Sequence, residues 1–130
     1  MAKNAKELTK AEEQVMQYLW NVEKGFVKDI VDQFPDPQPA YTTVTTIIRI
    51  LVNKGFVAYN TYGKTNEYYP LVSKKEYIEK HLKKVINNYF NGSAEKFTSF
   101  FTQNSDLSLN ELEDIKKMID QQIKNRKNNE

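Results

Sequence analysis

Apolar positions recur along this chain with a helical period, switch once to a period of two, and then return to the helical period. Residues 8–22 predict a first helix. Thr9 and Glu12 have capping-box spacing, and Ala11, Val15, Leu19 and Val22 form an inward stripe widened by Met16, Tyr18 and Trp20. Trp20, a lone indole at helical spacing, reads as core rather than as a ligand platform. Gly25 breaks the chain, and Val27, Ile30, Val31 and Phe34 predict a short second helix over residues 26–34. Pro35, Pro37 and Pro39 make the following stretch a stiff connector, because each restricts its own φ and the residue before it.

A third helix is predicted to start between Ala40 and Thr43 and to end at Gly55, which stands where a helix C-terminus takes its left-handed residue. It has two chemically distinct faces. Val44, Ile47, Ile48 and Leu51 make an apolar stripe, while Thr42, Thr45, Thr46 and Arg49 repeat the same spacing on a polar side without acids. The period then changes to two over residues 56–61. Residues 62–65 read as a turn with Gly63 inside it and Lys64 at its tip, and residues 66–70 resume as a strand ending on Pro70.

Ser73 and Glu76 form a second capping box, opening a long helix over residues 73–91 with a stripe of Ile78, Leu82, Val85, Ile86 and Tyr89. Ser93 begins a short helix carrying Phe97, Phe100 and Phe101, and residues 102–106 read as a polar break. A third box, Ser108 with Glu111, opens a last helix with Leu112, Ile115, Ile119 and Ile123, and residues 124–130 read as a fraying polar tail.

This predicts a mainly α fold with a small β-hairpin. The order helix, helix, helix, hairpin is that of a winged helix-turn-helix, here over residues 1–72, with a three-helix region over residues 73–130. So small a helical region buries its stripes poorly alone, so Ile78, Leu82, Val85, Ile86, Tyr89, Phe97, Phe100, Phe101, Leu112, Ile115 and Ile119 are expected to pack against a second copy in a homodimer. Thr42, Thr43, Thr45, Thr46 and Arg49 are expected to face the major groove of double-stranded DNA, with Lys64 at a phosphate. Threonine is a poor helix former, so its density in the third helix calls for such a reason.

Composition narrows the alternatives. The chain has 130 residues, 39% of them hydrophobic, which is enough for a core. Cysteine is absent and His81 is the single histidine, which excludes disulfides, cysteine catalysis and thiolate or multi-histidine metal sites. No cofactor is expected. With no nucleophile–base arrangement and no phosphate-cradling glycine loop, the chain does not read as an enzyme, and His81 reads as a surface or seam residue. No apolar run approaches ~18 residues, so no membrane insertion is expected and the cytoplasm is the default location. Charge pulls the other way from DNA. Residues 1–72 carry 8 basic and 8 acidic groups, while residues 73–130 carry 11 and 9. DNA affinity must therefore come from local placement of charge. This neutrality keeps open a competing reading, a winged-helix protein-interaction module that binds no DNA.

Four segments carry a family resemblance. Residues 8–20 (LTKAEEQVMQYLW), 42–57 (TTVTTIIRILVNKGFV), 68–72 (YYPLV) and 106–112 (DLSLNEL) resemble, in order, the opening, recognition helix, second wing strand and last helix of the penicillinase-repressor (BlaI/MecI) family. The resemblance implies a homodimeric bacterial transcriptional repressor on a palindromic operator. In many such pairs a membrane sensor metalloprotease signals cleavage in the C-terminal region, which releases the DNA. Two departures stand out. The family often has bases at the places of Thr42 and Ile50, and Phe100-Phe101 stands where its cleaved Asn-Phe bond lies. The cysteine pair of the family's copper-responsive branch has no counterpart here.

Overall fold

The computed structural model describes residues 7–129. Its elements run α1 (Lys10–Val22), α2 (Val27–Val31), α3 (Tyr41–Asn53), β1 (Val57–Tyr62), β2 (Thr65–Pro70), α4 (Lys74–Tyr89), α5 (Ala94–Asn104) and α6 (Leu109–Asn128). The fold is mainly helical with an antiparallel hairpin, a winged helix followed by a helical region. Two compact units divide within α4, between Lys80 and His81.

In the first unit, one core gathers Val15, Met16 and Leu19 of α1, Ile30 and Val31 of α2, Val44, Ile48 and Leu51 of α3, and Phe56, Val57 and Tyr68 around the hairpin. The inward side of α1 differs from the predicted stripe. Ala11 is exposed and Met16 is fully buried, while Glu12 is buried because its carboxylate has a cation to meet, Lys54. The capping box forms as read, with Glu12 N–H donating to Thr9 Oγ1 (3.2 Å) and Thr9 N–H to Glu12 Oε1 (3.1 Å). The Trp20 ring is half-buried near Tyr77, and its indole N–H donates to the Val72 carbonyl at 2.9 Å.

The second helix is shorter than predicted. After Val31 the chain tightens, with Gln33 N–H on Ile30 O and Phe34 N–H on Val31 O, because the residue before Pro35 is driven from the helical region. Gly25 does more than break the chain. Its backbone exchanges hydrogen bonds with Tyr68 (2.9 and 2.8 Å), so the segment before α2 lies along β2. A Cβ at Gly25 would sit 3.1 Å from the Asp29 Cβ and 3.2 Å from a Val22 methyl.

Both strands reach one residue closer to the turn than predicted, with Tyr62 opposite Thr65, while β1 starts one residue later, at Val57. Its two-residue loop is Gly63-Lys64, and Gly63 takes φ +62°, a conformation that glycine adopts without steric cost.

In the second unit, Ser93 Oγ caps α5 by accepting from Lys96 N–H. This helix runs to Asn104, three residues into the predicted polar break, as Thr102 Oγ1, Gln103 Nε2 and Asn104 Nδ2 bond back to Thr98, Ser99 and Phe100. The last helix reaches Asn128 instead of fraying after Ile123, with Arg126 and Lys127 in the last turn, where cations complement the helix dipole. Phe90, Phe97, Phe100 and Phe101 form a ring cluster with centroids 5.6–6.2 Å apart. No helix among the described residues is long and apolar enough to cross a membrane.

Candidate nucleic-acid interface

The third helix is fixed at both ends. Its start, at Ala40, has no side-chain cap, and the Thr43 and Val44 N–H groups bond to the Ala40 carbonyl. Its end is a Schellman motif. Gly55 adopts φ +85°, its N–H reaches Val52 O (3.0 Å), and Phe56 N–H reaches Leu51 O (2.9 Å). Leu51 and Phe56 are both buried, so the motif ends the helix and starts the wing from the same piece of core.

With Val44, Ile48 and Leu51 buried on one side, the opposite side of α3 faces water. At 100° per residue it is centred on Thr42, Thr46 and Asn53, with Arg49 on one flank and Thr43 and Ile50 on the other. All six are exposed. Arg49 is the single charged side chain of this helix. Thr45 is half-buried at the edge of this face.

The threonine hydroxyls are not idle donors. Thr45 Oγ1 donates to Tyr41 O at 2.8 Å and Thr46 Oγ1 to Thr42 O at 2.9 Å. With their hydrogens turned back on the helix, Thr45 and Thr46 offer acceptor lone pairs and methyl groups. Lys64 is exposed at the hairpin tip next to Tyr62, which is also exposed and whose ring meets Phe26 at 6.5 Å.

Two residues of this face, Ile50 and Asn53, lie outside the predicted polar stripe. Their spacing from Thr46, four and seven residues on, was the available signal.

The apolar residues assigned to a dimer seam are all at least partly open to water. Ile78, Leu82, Tyr89, Phe100, Phe101 and Ile119 are exposed, and Val85, Ile86, Phe97, Leu112 and Ile115 are half-buried. His81 is exposed. Among the described residues no group of acidic, histidine or cysteine side chains could hold a metal ion.

A sequence model of the family described as penicillinase repressor matches residues 8–121. The methicillin resistance regulatory protein MecI of Staphylococcus aureus is 28% identical over 116 residues, covering 87% of this chain and 93% of that protein. MecI of Mammaliicoccus sciuri has the same identity and coverage. The penicillinase repressor of Bacillus licheniformis is 23% identical over 126 residues, covering 96% of this chain and 98% of its own.

Proposed function

The chain belongs to the penicillinase repressor family, a family of transcriptional repressors rather than enzymes, and from that premise we propose that it is a dimeric repressor that binds a palindromic operator through α3 and the hairpin of each copy. Residues 1–72 are the DNA-binding part and residues 73–130 the dimerising part. Thr42, Thr43, Thr45, Thr46 and Arg49 face the major groove, and Lys64 meets a phosphate. The observation that carries this reading is the exposed side of α3, where Thr42, Thr46, Arg49 and Asn53 stand together without an acid, opposite a fully buried side.

The mechanism follows from placement. The buried side of α3 fixes the helix on its platform, so the guanidinium of Arg49 can take guanine O6 and N7 without further ordering of the backbone. One copy supplies few cations and binds weakly. Joining two copies makes the second half-site contact intramolecular, which raises the affinity of the pair well above that of either half. Bound across a promoter, the dimer represses by occlusion from the cytoplasm. Release in this reading follows a signal from a membrane sensor metalloprotease, with cleavage near Phe100-Phe101 loosening the dimer. Both residues lie inside α5, so a protease needs that helix locally unwound before it reaches the bond.

A mobility shift of the promoter of the chain's own gene at low salt tests the reading. A discrete complex whose protected region is a palindrome, with half-sites about 10 bp or a multiple apart, is the expected result. No complex at low salt would overturn it.

The neutral charge of residues 1–72, with 8 basic and 8 acidic groups, favours one rival, a protein-interaction module that binds no DNA. Partner binding unaffected by Arg49→Ala and Lys64→Ala, without DNA affinity, would establish that rival.

A further inference from the structure

Ile50 stands on the water-facing side of α3 with 38% of its surface open. Nothing in the helix calls for it there. Isoleucine is a weaker helix former than alanine, leucine or lysine, and leaving its side chain in water forfeits the gain from burying it. It lies one turn beyond Thr46 and two beyond Thr43, so the three form a row beside Arg49. Thr46 adds a methyl group to this row and no free donor, because its hydroxyl hydrogen is spent on the Thr42 carbonyl at 2.9 Å. One flank of the face therefore carries the guanidinium of Arg49 and the other the hydrocarbon of Ile50.

The major groove has one feature that matches hydrocarbon. Guanine, adenine and cytosine present only hydrogen-bonding groups there, and thymine alone adds a C5-methyl. A side chain without donors or acceptors cannot read N7, O6 or an amino group, and it cannot hold a phosphate. We propose that Ile50 is a specificity-determining residue of α3, packing against the C5-methyl of a thymine in each half-site, beside the base pair that Arg49 contacts. The proposal rests on the DNA-binding reading above and adds to it a base preference and the residue that sets it.

The test uses the full chain and duplexes selected with it from a randomised pool. Each thymine of the selected site is replaced in turn, symmetrically in both halves, by deoxyuridine, which removes only the methyl group. At one thymine position the substitution is expected to weaken binding about fourfold per half-site and about fifteenfold for both, as about 0.8 kcal/mol per buried methyl-sized group requires. Ile50→Ala is expected to bind the thymine and deoxyuridine duplexes equally well at that position. Its thermal midpoint should be unchanged within a few degrees, since the side chain is outside the core. Tight binding that is indifferent to deoxyuridine at every position would overturn the proposal and leave the repressor reading standing. So would an Ile50→Ala variant that keeps the full discrimination. Failure to select any duplex would overturn both.

Discussion

Lys54 Nζ lies 2.6 Å from Glu12 Oε1, and this contact joins the first turn of α1 to the residue that caps the C-terminus of α3. The same ammonium reaches the Glu7 carbonyl at 3.1 Å. Burial raises the Glu12 pKa, but hydrogen bonds from Lys54 and Thr9 outweigh it and hold the carboxyl below its ordinary value of 4.5. The pair therefore helps to set how α3 sits against α1. Removing one partner leaves a buried charge uncompensated. Lys54→Ala is expected to destabilise the fold by about 3 kcal/mol in urea unfolding, and Glu12→Gln with Lys54→Met together by clearly less.

The same contact predicts an acid dependence. Because the folded pKa of Glu12 is depressed, its contribution to stability is complete above the ordinary value of 4.5 and is lost as pH falls through the lower folded value. A series of thermal midpoints below pH 5 should fall less steeply for Glu12→Gln than for the unsubstituted chain.

Tyr77 predicts the opposite limb. Desolvation, then the hydrogen bond from its hydroxyl to Glu13 Oε2 at 2.7 Å, raise its pKa well above the ordinary 10.0. A raised folded pKa means that the contribution is complete below that ordinary value and is lost as pH rises beyond it. Tyr77→Phe is expected to cost about 1 kcal/mol at neutral pH and to flatten the alkaline fall in stability.

Glu23 ends α1 at φ +70°, ψ −42°, a backbone conformation that costs a residue with a side chain. Glu23→Gly relieves this while keeping the Glu23 N–H on Leu19 O. A gain of about 0.5–1 kcal/mol in denaturant midpoint analysis is the expected outcome, and a loss would mean that the Glu23 side chain matters more than its backbone.

Dimerisation is open to a direct check. Sedimentation at micromolar concentration is expected to give twice the 15.3 kDa chain mass. Leu82→Asp, which places a charge on the exposed stripe of α4, is expected to give the single-chain mass and to weaken operator binding at least tenfold.

What could be read from the sequence was local. The Thr9–Glu12, Ser73–Glu76 and Ser108–Glu111 boxes and the left-handed Gly55 are fixed within three or four residues, and each forms. Contacts between distant segments left no such trace. Neither Gly25 on Tyr68, Glu12 on Lys54 nor Trp20 on Val72 has a spacing rule to announce it. Polarity misled twice, at 102–104 and 124–128, because hydroxyl, amide and basic side chains can stabilise the last turn of a helix as readily as they populate a loop. On α3, the apolar and polar stripes were legible from spacing. The commitment of the Thr45 and Thr46 hydroxyls to backbone carbonyls is settled only in the folded helix.

On the proposed reading, the exposed side of α3 recognises an operator with few cations. Titrating the palindromic duplex with the full chain and with Arg49→Ala across a salt series tests it most directly. Lys64 in each of two copies neutralises about two phosphates, while Arg49 is spent on a base, so log K against log salt is expected to have a shallow slope of about −2. Arg49→Ala is expected to lose about 1–3 kcal/mol per half-site on the operator and little on a scrambled duplex. Equal binding of operator and scrambled duplex by both proteins would contradict the account.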